Sequence, residues 1–163
     1  MAIPVARLVL REPTSLGALR LRDHVQELRV FGNPDAFEGP VGVLVDEGSA
    51  STTEIFAAGL RRLGRAVSLG VETSAGMALP SVIERLPDGG AVQIAVGVYE
   101  TPGAGPPPEG QGVPLDERLE LGDADFETQD DPVLAAAAAA LASRPVAPAV
   151  AVDPAAAARS PSP

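Results

Sequence analysis

At 163 residues, 45% of them hydrophobic, the chain suits one domain with a moderate core of its own. A formal net charge of −10, with twelve arginines and no lysine, argues against nucleic acid or an anionic membrane as the main partner. The lack of cysteine excludes disulfides and thiolate metal sites, and with a single histidine no metal or cofactor is implied.

Aromatic side chains make up only 3% of the chain, so the core has to be built from Val, Leu, Ile and Ala. No run reaches the roughly 20 apolar residues of a membrane span. The opening MAIPVARLVLREP lacks a charged leader followed by a long apolar stretch and does not read as a signal peptide.

In chain order, Leu28 to Phe31 reads as a strand and Asn33-Pro34-Asp35 as a turn. After Gly39-Pro40, the apolar run Val41 to Val45 suits a buried parallel strand. Ile55 to Leu63 has helical spacing, with Ile55, Ala58 and Leu63 on one face, Arg61 and Arg62 on a solvated face, and Gly64 as the stop. Ala66 to Leu69 is a second short strand, so Val41 to Gly70 forms a βαβ unit. Ala78 to Arg85 and Ala91 to Tyr99 alternate apolar and polar residues around Pro87-Asp88-Gly89-Gly90, which predicts a hairpin. Gly103 to Pro114 is a Gly/Pro loop and Leu115 to Leu121 an edge strand. Pro132 to Ala142 reads as a helix capped by Asp130 or Asp131, with Pro132 in the first position. The Ala/Pro-rich tail, 143–163, reads as disordered or extended. The fold class is α/β with an added antiparallel hairpin.

The chemistry-bearing segment is the turn from Asp46 to Glu54, at the C-terminal end of a parallel strand and the start of a helix. Ser51 can be read in two ways there. Ser51-x-x-Glu54 is a capping box, in which both side chains satisfy free helix amides. Alternatively, Ser51 is a nucleophile whose developing charge is stabilised at the helix N-terminus. It is not a G-x-S-x-G elbow, because Thr53 stands two positions on. Asp46 and Glu47 read as strand-end carboxylates, and His24 as an exposed turn histidine.

The run GPVGVLVDEGSASTTEIFAAGLRRLGRAV, Gly39 to Val67, resembles the nucleophile segment of the tail-specific, or C-terminal-processing, serine proteases. That segment reads G-P, an apolar run, N/D-x-G-S/T-A-S-A-S-E-I, and then G-R-A. The run LPDGGAVQIAVGVYETPGAGPPPEGQGVPLDERLEL, Leu86 to Leu121, resembles the family's downstream segment. The resemblance places the nucleophile on Ser51, a backbone oxyanion donor on Thr52 and a supporting or capping role on Glu54, with Glu109 in the matching E-G-x-G-V stretch. Thr52 and Thr53 stand where the family usually has Ala and Ser. Many members pair the serine with a lysine 25 positions later, which falls here on Gly76. The chain instead resembles a subgroup reading T-A-G-x-x-L-P-S. A serine without a base is a weak nucleophile; the tricorn core peptidases, which resemble this clan, take their base from a histidine in an earlier part of the chain.

The implied fold is crotonase-like: a βαβ core with an added hairpin and a C-terminal helix. The implied function is hydrolysis of a polypeptide substrate through an acyl-enzyme at Ser51. The family's upstream D-L-R-x-N-x-G-G segment is not found between Met1 and Gly39. The expectation is therefore a partial N-terminal segment (1–38), a catalytic core (39–142) and a tail (143–163), inactive alone and lacking an N-terminal half or partner chain. The alternatives are half of a split peptidase and a non-catalytic binding or structural module, since a retinoid-binding protein of the retina also resembles this clan. Members are commonly periplasmic or exported, but nothing in this sequence identifies the compartment.

Overall fold

The computed structural model describes residues 2–100, 110–122, 125, 127 and 130–144. Its centre is the expected βαβ unit. β3 (Gly42–Leu44) and β4 (Val67–Gly70) pair in parallel, with Gly42 opposite Val67 and Leu44 opposite Leu69. α2 (Thr52–Arg62) connects them, and β8 (Glu117–Arg118) adds in parallel to the far edge of β4, giving the order β3-β4-β8. Helix α2 carries Glu54 in its first turn and Arg61 and Arg62 in its last, the arrangement that suits the helix dipole. It buries Ile55, Ala57, Gly59 and Leu60.

The N-terminal residues are more ordered than their sequence suggests. After the short helix α1 (Ala2–Ala6), β1 (Thr14–Leu21) and β2 (Val25–Val30) form an antiparallel hairpin. A bulge between Ser15 and Ala18 breaks its register. Only the end of β2 was legible as the predicted strand Leu28 to Phe31.

The predicted strand Ala91 to Tyr99 divides. β5 (Ser81–Arg85) and β6 (Ala91–Ala95) form the expected hairpin, while β7 (Gly97–Glu100) leaves it and pairs with β1, giving the order β2-β1-β7. The switch is anchored by Tyr99, buried to 2% exposure, whose hydroxyl donates to the Leu16 carbonyl at 2.5 Å.

Helix α2 is thus held between two sheets. On one side Leu60 and Leu63 pack with Leu10, Leu16 and Val30. Gly59 lets Leu16 approach, since a Cβ there would come within 2.9 Å of Leu16 Cδ2. On the other side Ala57 packs with Val45 and Val113. α3 (Pro132–Ala142) covers the outer face of the parallel sheet, with Ala137 against Leu69 and Leu119. Its cap is Asp131, which accepts from the N–H groups of Val133 and Leu134 at 2.9 and 3.1 Å. No helix among the described residues is long and apolar enough to cross a membrane. Glu109, most of the Gly/Pro loop and the tail beyond residue 144 lie outside the described residues.

Candidate active site

Strand β3 ends in a tight turn before α2. The carboxylate of Asp46 accepts from the Ser49 hydroxyl at 2.8 Å and the Gly48 N–H at 3.1 Å, so this side chain shapes the turn. Glu47 is exposed beside it.

Ser51 is the N-cap of α2 and is exposed to solvent. Its φ of 59° and ψ of −121° make it the only positive-φ residue other than glycine among the described residues. That region is populated almost only by glycine and costs another residue on the order of 1–3 kcal/mol. A simple cap has an extended backbone, as Asp131 does with φ −72° and ψ 107°. Ser51 therefore carries a strain that capping does not require.

The surroundings hold that backbone in place. The Ser51 N–H is shared between the Met77 carbonyl and Glu54 Oε2, each at 3.0 Å. The forward arm of the capping box is weak, because the Glu54 N–H already lies 3.0 Å from the Ser51 carbonyl. The N–H of Thr52 has no acceptor among the described residues. It lies next to the Ser51 hydroxyl at the first position of α2.

Glu54 does far more than cap. It is buried to 3% exposure. Its Oε1 accepts from the Ser74 hydroxyl at 2.6 Å and the Gly76 N–H at 2.7 Å, and its Oε2 from the Met77 N–H at 2.7 Å as well as from Ser51. A carboxylate offers only acceptors, which is what this convergence of donors requires. Ser74 passes the link on, accepting from the Val113 N–H at 2.7 Å. Two chain segments that are distant in sequence, 74–77 and Val113, are thereby tied to the start of α2.

Gly76 has a φ of +71°, and a Cβ there would lie 2.6 Å from the Gly110 nitrogen. This backbone has no room for a lysine at position 76. His24 sits in the β1–β2 turn, where its carbonyl accepts from the Leu21 N–H at 2.9 Å, and it shares no hydrogen bond with Ser51. The structure thus brings Ser51, Thr52 and Glu54 together and leaves His24 out.

The arginine pair departs from the expected solvated face. Arg61 holds Asp116 Oδ1 through Nη2 at 2.7 Å, and Arg62 donates to the Ser15 carbonyl at 3.0 Å. Asp116 Oδ2 also accepts from the Ser68 N–H at 3.0 Å. Burial pushes the Asp116 carboxyl up, but the Ser68 N–H, Arg61 and the Ser68 hydroxyl outweigh it and hold it below its ordinary range. Sequence reasoning overlooked Ser74, Ser68 and Asp116. Their roles depend on partners 20 to 55 residues away, and no local pattern marks them.

The profile of Peptidase family S41 matches residues 2–119, reaching upstream of the motifs that begin at Gly39. Over 100 residues the chain is 34% identical to a carboxyl-terminal-processing protease of Picosynechococcus sp., a match covering 61% of this chain and 24% of that protein. The photosystem II D1 C-terminal processing protease superposes with a TM-score of 0.60 at 30% identity, over 73% of this chain and 30% of that one. A putative peptidase from Parabacteroides merdae superposes with a TM-score of 0.69 at 18% identity, over 86% and 46% respectively; at that identity the likeness is one of fold. The chain spans about a quarter of the length of the curated relatives it matches.

Proposed function

Because the chain belongs to peptidase family S41, we propose that it carries the nucleophile side of a serine-type peptidase site, with Ser51 Oγ as the attacking atom and a polypeptide as substrate. The observation that carries this reading is the strained, exposed backbone of Ser51 at a strand-to-helix turn. Strain of this kind persists where it serves a site, and a sharp strand-to-helix turn exposes the serine in other hydrolases.

In this reading Ser51 Oγ attacks the scissile carbonyl carbon and passes its proton to a base. The oxyanion rests on the Thr52 N–H, and the amine leaves with that proton. Water then cleaves the acyl-enzyme and frees Ser51. Glu54 is a positioning residue, because its two oxygens are already occupied by four donors. In this reading the base comes from residues outside this segment or from a partner chain. The fold is crotonase-like in its βαβ core, hairpin and C-terminal helix. Residues 39–142 form the catalytic core, and 1–38 the segment that precedes it.

A second reading, a binding module on the same fold, is favoured by the crowded Gly76, which cannot be exchanged for lysine on this backbone. A fluorophosphonate probe separates the two. The 163-residue chain is expected to remain unlabelled. A folded fusion with the upstream half of a relative should be labelled, and Ser51→Ala should abolish the label. A folded fusion that stays unlabelled would remove the peptidase reading and leave the binding module.

A further inference from the structure

Hairpin β5–β6 is a two-stranded sheet with all ten of its residues exposed. Two strands alone are marginally stable, and a third strand or a packed face normally supports them. The register shows which groups are unused. The Val96 N–H bonds the Pro80 carbonyl and the Leu86 N–H bonds the Gly90 carbonyl, both at 2.9 Å. With Ser81 opposite Ala95 and Arg85 opposite Ala91, the even-numbered residues of β5 direct their main-chain groups toward β6. The N–H and C=O groups of Ser81, Ile83 and Arg85 therefore point away from β6, along an edge with no partner strand among the described residues. Leu79, just before the strand, also has unbonded main-chain groups among the described residues.

This edge is continuous with the candidate site. Met77 is bonded to both Ser51 and Glu54, and Ser81, the first residue of β5, follows it four positions on. Four extended residues span about 14 Å. A polypeptide with a peptide bond at Ser51 thus reaches β5 within about four residues. One face of the hairpin carries Val82, Val92 and Ile94, all exposed. A strand added at the β5 edge would extend that face with every second side chain. Between Ser81 and Arg85 the edge has no lysine, proline or bulge, and its charged residues, Glu84 and Arg85, lie at the C-terminal end of the strand.

We infer that the outer edge of β5 is the docking strand for an extended polypeptide with apolar residues at alternate positions, which adds there as a third strand leading to Ser51. This rests on the polypeptide-substrate reading above but does not require catalysis.

The test is residue-resolved amide exchange of the full chain carrying Ser51→Ala, with and without a short synthetic peptide in which leucine and valine alternate with lysine and serine. Saturating peptide is expected to slow exchange at Ser81, Ile83 and Arg85 by about tenfold or more and to leave Val82 and Glu84 unchanged. Ile83→Pro removes an outward N–H but no ladder bond. It should keep the protection of the even-numbered residues and weaken peptide binding about tenfold, while Ile83→Val keeps the affinity. If Ile83→Pro loses the hairpin, the odd-only pattern in the parent decides. Absence of that pattern, or the same slowing on raising protein concentration without peptide, overturns the proposal, the latter by showing self-pairing. Odd-only protection alongside a failed fluorophosphonate experiment would remove the chemistry and keep the docking strand. Labelling without protection would do the reverse.

Discussion

Replacing Glu54 by Gln alters little in size but puts an amide group where only acceptors are wanted. The NH2 has to take the place of one carboxylate oxygen. At the Oε2 position it would face two backbone donors, Ser51 and Met77. At the Oε1 position the Ser74 hydroxyl can turn and accept, so only the Gly76 N–H is stranded. That second placement is the cheaper one. A stranded buried donor costs about 1–3 kcal/mol, and the surviving bonds fall to roughly half of their charge-assisted strength. Relief of burying a charge without a cation offsets part of this. The expected net loss for Glu54→Gln is about 2–3 kcal/mol, or roughly 4–12 °C in Tm for a chain of this size. Urea unfolding followed by far-ultraviolet circular dichroism measures it as a lower midpoint at unchanged slope. A loss well below 1 kcal/mol would show that the four hydrogen bonds do not hold the 74–77 segment, and Glu54 would revert to a simple cap.

The strain at Ser51 predicts that Ser51→Gly is more stable than Ser51→Ala by about 1 kcal/mol, because only glycine accepts φ 59° and ψ −121° freely; equal midpoints would remove the strain argument. Tyr99 should titrate near pH 12 in the native protein and near 10 when unfolded, since burial raises its pKa to about 12 and Arg62 only partly counters this. Its stabilising contribution is complete below pH 10 and is lost as pH rises through 12; ultraviolet difference absorbance reads this cleanly, because the chain has one tyrosine and no tryptophan. Asp116, held below its ordinary 3.8, contributes stability above about pH 4 that is lost as pH falls through its folded value. The deficit of Asp116→Asn relative to the parent should therefore shrink from near pH 6 toward pH 3, and a deficit independent of pH would refute the assignment.

Some of this structure was readable in short stretches of sequence. Gly39-Pro40 followed by an apolar run, helical spacing up to Gly64, Pro132 behind Asp131 and the Asp88-Gly89-Gly90 turn are local signals, and each marks an observed element. The motifs around Ser51 likewise pointed to the peptidase family from the residues alone. What the sequence could not determine depends on partners far along the chain. β1 is interrupted by Gly17 and shows no clean alternation, yet it is a strand because Tyr99 closes on it from 83 residues away. The run Ala91 to Tyr99 reads as one strand, but β7 finds better burial against β1 than along the hairpin. Ser51 and Glu54 look like an ordinary capping box when only their spacing of three positions is considered. Only in three dimensions does the Glu54 carboxylate meet Ser74, Gly76 and Met77 and hold Ser51 in its strained backbone. Turn and helix signals act over a few residues and survive in any context, whereas a buried carboxylate is defined by which donors the packed chain brings to it.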